Sequence, residues 1–420
     1  MILTNKQEEG LKVAVERFNN HEPYTCIAGF AGTGKSTLIK FIIAALNIAP
    51  EEVSYVAYTG KAAQVLQQKG CPNPTTAHKL LYTAKPMPNG SYKFVPKAIE
   101  GYRLIVVDEV SMLPKQMWNQ LLTHRIHVIA TGDPFQLPPI DKESDNHVLD
   151  KPHVFLDEIM RQAYDSEIIR FSMWIREGKP ISEFPASGQQ VMIVEPRQVV
   201  TGMYTWADQI LCATNAKRNM INGFMRDIQG FGPEPQPGDK IISLRNQWEF
   251  MSNNPYDPVP LTNGSIGSIV YSSRRNLAVP YWISDKTIPV LDTTMIDENG
   301  NTFNFIPIDY TALTTGEKFL TGQQEFQMRK NTRCPSPPFE FAYAYGITCH
   351  KAQGSEWDNV LVYEEKFPFV KEDHARWAYT AATRAKEKLV WIEPVDKDVW
   401  VEHTLPKDKD TWIERTISLT

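Results

Sequence analysis

The sequence predicts an α/β protein made of two parallel-sheet units, with a hairpin inserted in the first and a small β-rich module inserted in the second. Three observations predict it. Short apolar runs alternate with helical segments over roughly the first 160 residues, the pattern of a parallel sheet covered on both faces. A second αβ stretch begins near Asp165 and returns after Phe339. Between them, from about Lys240 to Ile306, short runs are separated by Gly, Asn, Asp and Pro, which suits a small antiparallel barrel or sandwich.

In order, Thr25–Ala28 reads as a strand that runs through a glycine-rich turn into a helix near Lys35–Leu46. Val53–Tyr58 is a second strand, followed by a helix from Gly60 to about Gln68. Leu104–Val107 and Val128–Ala130 are strands around a helix near Lys115–Leu122. Residues 82–101 interrupt this rhythm. Pro88-Asn89-Gly90 is a hairpin signal, and Asn89-Gly90 suits a two-residue type I′ turn. Tyr92 and Phe94 then share one strand face while Lys93 points away. In the second unit, Ser166–Arg176 and Asn215–Ile228 read as helices and Ile210–Ala213 as a strand. The β-rich module is read from strands at Ile241–Leu244, Ser265–Tyr271, Leu277–Ile283, Ile288–Leu291 and Phe303–Ile308. Val360–Tyr363, a helix around Trp377–Ala385 and Lys388–Ile392 close the unit. The expected division is 1–81 with 102–160, the hairpin 82–101, 161–244 with 336–395, the module 245–335, and a tail 396–420.

Composition narrows the class. The 420 residues are 42% hydrophobic and 22% charged, an ordinary globular mix with room for two or three cores. No run of eighteen apolar residues is present and the N-terminus lacks a signal-peptide pattern, so a cytosolic protein is expected. Five scattered cysteines, none spaced C-x-x-C, argue against a disulfide framework, a zinc site or an iron–sulfur cluster. The net charge of −5 counts mildly against a nucleic-acid binder, although a motor can confine positive charge to a channel.

Gly29-Phe30-Ala31-Gly32-Thr33-Gly34-Lys35-Ser36 fits G-x-x-x-x-G-K-[ST] between a strand and a helix. Its glycines let backbone N–H groups, Thr33 and Thr37 among the neighbours, converge on phosphate oxygens at a helix N-terminus. Lys35 would reach the outer phosphates and Ser36 would hold Mg²⁺. Asp108 and Glu109 end an apolar strand at the same edge of the sheet, suiting a Mg²⁺ ligand and a base for the attacking water. These residues imply ATP and Mg²⁺. Gln136, in Gly132-Asp133-Pro134-Phe135-Gln136-Leu137, either senses the terminal phosphate or belongs to a proline-shaped turn.

The order of motifs from Gln7 to Arg384 resembles superfamily 1 helicases of the 5′-to-3′ branch, the RecD-like and phage Dda-like enzymes. Leu3-Thr4-x-x-Gln7 resembles the Q motif, whose glutamine reads adenine, and is also a helix capping box. Tyr58-Thr59-Gly60-Lys61-Ala62-Ala63 and Thr75-Thr76-Ala77-His78 resemble the single-strand motifs, implying DNA contacts by Thr59, Lys61 and His78. Asp108-Glu109-Val110-Ser111-Met112 resembles motif II, and the Gly132–Leu137 stretch motif III. Leu156-Asp157-Glu158-Ile159-Met160-Arg161-Gln162 resembles motif IV, whose arginine meets the γ-phosphate. Thr348-Cys349-His350-Lys351-Ala352-Gln353-Gly354-Ser355-Glu356 resembles motif V, with Gly354 and Glu356 facing nucleotide and Thr348 and His350 facing DNA. Tyr379-Thr380-Ala381-Ala382-Thr383-Arg384-Ala385 resembles motif VI, whose arginine is the second finger; Ala381 stands where several relatives carry valine or glycine.

The resemblance implies two RecA-like domains, an SH3-like insertion and an ATP-driven 5′-to-3′ DNA helicase acting on single strands and a duplex fork. Hairpin 82–101 occupies the place of the family's pin, with Tyr92 and Phe94 as candidate stacking residues. A monomer is expected, and replication or recombination proteins are the implied partners. An RNA helicase, a translocase that strips proteins from DNA, and a nucleotide-gated loading module with weak turnover are the competing readings.

Overall fold

The computed structural model describes residues 3–86, 92–138, 145–160, 165–254, 258–331, 333–365 and 371–394. Leu104–Val107, His127–Gly132 and Val53–Ala57 are buried along their whole length, which is why their sequences read as near-continuous apolar runs rather than alternating ones. They lie in a six-stranded sheet ordered Thr75–Thr76, Val53–Ala57, Leu104–Val107, His127–Gly132, Tyr24–Gly29, Val154–Leu156. Every pairing in it is parallel. A second parallel sheet is ordered Gly346–Thr348, Gln209–Cys212, Trp357–Tyr363, Ala385–Ile392, Val191–Val194. The expected α/β class with two parallel sheets is therefore observed. Val154–Leu156 and Val191–Val194 are edge strands that the sequence pattern does not reveal, each too short to stand out from its loop.

The inserted module is an antiparallel sheet ordered Thr302–Asp309, Ile288–Asp297, Ile266–Leu277, Lys240–Ser243, Phe341–Tyr343. Three expectations are corrected. Ile241–Leu244, read as a module strand though outside the 245–335 bounds, is Lys240–Ser243 and pairs in this sheet, as does Phe341–Tyr343, so those bounds are too narrow. Leu277–Ile283 is not a strand. Ile266–Leu277 runs on as one long strand, and the chain turns at Pro280, whose carbonyl accepts the Ile283 N–H at 2.9 Å. The helix expected at Trp377–Ala385 is Lys371–Ala382, and Ala385 already begins a strand.

Tyr82–Pro86 and Tyr92–Pro96 form the expected hairpin arms, with Ala84 opposite Phe94 and Pro86 opposite Tyr92. A two-residue Asn89-Gly90 turn would need a register offset by one residue from this one. The turn itself, residues 87–91, and the tail expected at 396–420 lie outside the described residues. No helix among the described residues is long and apolar enough to cross a membrane.

Candidate nucleotide site and inter-domain cleft

The glycine-rich loop leaves the carboxyl end of Tyr24–Gly29 and opens the helix Lys35–Ala45. Gly32 and Gly34 have φ of 77° and 79°, in the left-handed region that a side chain strains. A Cβ at Gly34 would also collide with the Gln7 amide. Lys35 Nζ donates to the carbonyls of Gly29 (2.6 Å) and Phe30 (3.0 Å), and the Thr33 hydroxyl donates to Phe30 O at 2.8 Å. Ser36 is exposed at the first turn of the helix and Thr37 is half-buried beside it.

The capping-box reading of Gln7 is observed. It closes a capping box with Thr4, accepting the Thr4 N–H at Oε1 (3.1 Å), and its buried Nε2 donates to Thr33 O at 3.1 Å. Gln7 thereby ties the first helix to the phosphate loop.

Asp108 and Glu109 follow the strand Leu104–Val107, next but one in the sheet to the phosphate-loop strand. Asp108 Oδ1 accepts the Thr131 hydroxyl (2.9 Å) and the Glu109 N–H (3.1 Å), which fixes the carboxylate's direction. Glu109 is held at φ 50°, a conformation that costs a non-glycine residue on the order of 1–3 kcal/mol and tends to be kept at functional sites. Burial, then the Asp108 carboxylate, raise the Glu109 carboxyl above its ordinary range, while Arg384 and Lys35 act to lower it. The charge of Arg384 thus reaches Glu109 across the cleft. Asp108, Glu109, Gln353, Gly354, Glu356 and Arg384 line one cavity.

Arg384 is buried. Its guanidinium donates to Thr380 O (3.1 Å), Ser355 O (3.3 Å) and the Thr383 hydroxyl (3.2 Å), so it is braced from its own unit. The turn after the fourth strand of the first sheet inserts into the second unit. Leu137 N–H donates to the Thr380 hydroxyl at 2.9 Å, and Gln353 Nε2 donates to Leu137 O at 2.7 Å. Gln136 is buried in this turn, and Phe135 meets Tyr379 edge-on at 5.2 Å. Asp133 and Tyr379, to which the sequence assigns no role, meet here as well. Their motifs are visible in the sequence, but not that the two motifs touch.

Arg161 lies outside the described residues. Glu356, expected to face nucleotide, lines the cavity but pairs with Lys69 of the first unit at 3.3 Å. Gly354 has φ 73° and packs on Ala62 and Thr59.

The expected DNA-facing residues divide. The Thr59 hydroxyl accepts the Ala62 N–H (3.2 Å) and caps the helix Gly60–Gln68. Thr348 is buried at the start of the short helix Cys349–Ala352. Burial lowers the pKa of His350 and His78, holding both imidazoles toward the neutral form. His78 sits in a row of rings, 5.9 Å from Tyr58, 6.3 Å from Tyr82 and 6.4 Å from the exposed Phe94. Lys61 is not directed at an open surface. Its ammonium pairs with Glu298 of the β-rich module and lies 4.5 Å over the Trp357 ring, because the module brings that carboxylate against the first turn of its helix.

An AAA domain model matches residues 3–196, and a UvrD-like helicase C-terminal domain model matches residues 343–392. The ATP-dependent RecD2 DNA helicase of Deinococcus radiodurans is 26% identical over 86% of this chain and 46% of its own length. The ATP-dependent DNA helicase dda of Enterobacteria phage T4 is 27% identical over 33% of each chain. The chain thus spans about half, or less, of the length of the curated relatives it matches. In fold it is similar to a Pif1 helicase from Bacteroides solved with ADP-AlF3 and ssDNA, with a TM-score of 0.51 at 18% identity, covering 100% of this chain and 97% of that one. Its motif order, its two parallel sheets and these matches agree, and the chain is similar to the superfamily 1 helicases of the 5′-to-3′ branch.

Proposed function

We propose that the chain is an ATP-driven DNA helicase and translocase that moves 5′ to 3′ along single-stranded DNA and opens duplex. One observation carries this reading. Arg384 of the second unit shares a cavity with Asp108 and Glu109 of the first, and the turn at Asp133–Leu137 bonds directly to the second unit. Chemistry at the phosphate loop would therefore move one sheet unit against the other.

Lys35 binds the outer phosphates, Glu109 accepts a proton from the attacking water, and Arg384, with Arg161 by resemblance, neutralises charge as the phosphoryl group leaves. Gln136 reports the terminal phosphate, and Gln7 supports the loop. The Ser36 hydroxyl and the Asp108 carboxylate are hard oxygen donors, few in number, and such a set suits Mg²⁺, which takes its other ligands from phosphates and water. Bound there, Mg²⁺ would supply charge neutralisation on the phosphate oxygens. Thr59, Thr348 and His350 line the proposed strand path between the units, with Lys61 joining when it exchanges Glu298 for a phosphate. The ring row from Tyr58 to Phe94 is a stacking surface of the kind that holds single strands without sequence preference. The hairpin carrying Phe94 is the proposed wedge, and a base stacked on it would gain roughly 1–3 kcal/mol, comparable to one DNA stacking step.

The test is unwinding of partial duplexes with a 5′ or a 3′ single-stranded tail. Unwinding only with the 5′ tail is expected; the opposite preference contradicts the assigned direction. A chain with residues 86–95 replaced by a short Gly-Ser turn should keep strand-stimulated ATP hydrolysis and lose most unwinding. Unchanged unwinding per ATP would remove the hairpin from the mechanism.

A further inference from the structure

The helix Glu167–Arg176 belongs to the second unit and is firmly seated. Ile168, Phe171 and Ile175 are buried in that unit's core. At its start the Glu167 carboxylate accepts backbone N–H groups from Gln190 (3.0 Å), Val191 (2.9 Å) and Ser187. Its last residue, Arg176, is thus delivered by a rigid element, and it reaches the first unit. The guanidinium carbon lies 3.7 Å from the centre of the Phe30 ring, inside the phosphate loop. Phe155 meets the same ring edge-on at 5.2 Å and braces it. The Phe30 carbonyl accepts from Lys35 Nζ, and the next residue, Ala31, donates its N–H to Tyr379. The charge of Arg176 is felt at the Tyr379 phenol.

Arg176 therefore sits against the phosphate loop itself, on the residue whose carbonyl accepts from Lys35. One of its nitrogens, Nη1, is buried and makes no hydrogen bond among the described residues. A buried guanidinium N–H without an acceptor is costly, and the acceptors for which this loop is built are phosphate oxygens. A ring face holds the cation in place without occupying its N–H groups.

We infer that Arg176 is a further nucleotide-contacting residue contributed by the second unit, parked on Phe30 and donating Nη1 to an outer phosphate oxygen of bound ATP. This rests on the reading of Gly29–Ser36 as an ATP phosphate loop. Phe30 acquires a role by the same geometry, since its ring holds the guanidinium next to the site.

The test compares wild type, Arg176→Ala, Arg176→Lys and Phe30→Leu. ATP hydrolysis is measured with saturating single-stranded DNA, together with binding of fluorescent ADP and of ADP–aluminium fluoride. Arg176→Ala should lower kcat about tenfold or more, the scale of one lost charge-assisted hydrogen bond at the transition state. Its ADP affinity should stay within about twofold, while ADP–aluminium fluoride binding falls in step with kcat. Arg176→Lys keeps the charge without the planar fork and should recover part of the loss. Phe30→Leu removes the ring on which the guanidinium rests and should lower kcat less than Arg176→Ala does, with ADP affinity within about twofold of wild type. A kcat within about twofold of wild type in Arg176→Ala, or equal weakening of ADP and ADP–aluminium fluoride, overturns the inference, the second result marking a packing role. If Arg176→Ala fails to fold, the same readouts on Arg176→Lys decide: full wild-type behaviour there overturns it. No hydrolysis by wild type would instead sink the ATP-site reading itself.

Discussion

The Tyr379 phenol donates a 2.6 Å hydrogen bond to the Asp133 carboxylate and accepts the Ala31 N–H at 2.8 Å. A single side chain of the second unit thereby holds both the phosphate loop and the turn after the fourth strand of the first sheet. Burial and the neighbouring Asp133 raise the phenol's pKa well above its ordinary value, so it remains a donor at any physiological pH. Displacement of the phosphate loop relative to the second unit disturbs the Ala31 bond to this residue.

Tyr379→Phe keeps the ring against Phe135 and removes only the hydroxyl. Asp133 is buried and would keep the Phe135 N–H as a donor while losing the phenol. The expected cost to folding is on the order of 1–3 kcal/mol. Strand-stimulated hydrolysis should fall more than nucleotide binding does, because the lost bonds link units rather than hold nucleotide. Urea denaturation and steady-state kinetics check the two parts; a variant unchanged in both contradicts the link.

The raised carboxyl of Glu109 sets a pH dependence. A base works only when deprotonated, so the acid side of the kcat profile should lie above the ordinary carboxylate range. Arg384 acts to lower this pKa, so Arg384→Ala should move what activity remains to still higher pH. Glu109→Gln should abolish the acid limb with the activity. A kcat profile flat down through the ordinary carboxylate range would remove Glu109 from the role of base.

Much of this is legible in the sequence because the relevant signals are local. The phosphate loop, Asp108 and Glu109 each lie within one strand–turn–helix step, where apolar runs and glycines speak directly. The two-sheet plan follows from the same alternation. What cannot be read depends on contacts between distant segments. Arg176 ends an ordinary helix, and nothing in the residues around it announces Phe30. Lys61 carries the sequence of a strand-binding motif, yet its partner Glu298 comes from a turn some 237 positions away. Phe341–Tyr343 lies where the αβ rhythm returns in sequence, yet it joins the antiparallel sheet through pairing with Lys240–Ser243. The hairpin is recognisable from Asn89-Gly90, while its register, set by the arms, differs from the one that dipeptide suggests.

Asp239 tests the seat of the β-rich module. It is fully buried and accepts from Arg226 (2.8 and 3.2 Å), the Tyr345 hydroxyl (3.1 Å) and the Gln236 N–H (2.9 Å). Asp239→Ala leaves the buried Arg226 without its carboxylate, and such changes cost on the order of 3–5 kcal/mol. The variant should unfold at clearly lower urea. A loss below about 1 kcal/mol would show that Arg226 finds another acceptor.

The proposal that this chain is a strand-driven motor is tested most directly by ATP hydrolysis as single-stranded DNA is titrated in, for wild type and Lys35→Ala. Wild type should hydrolyse slowly alone and rise to a plateau many times higher with DNA. Lys35→Ala should stay near zero throughout while still binding the strand. Hydrolysis that ignores DNA, or that persists without Lys35, would contradict the account.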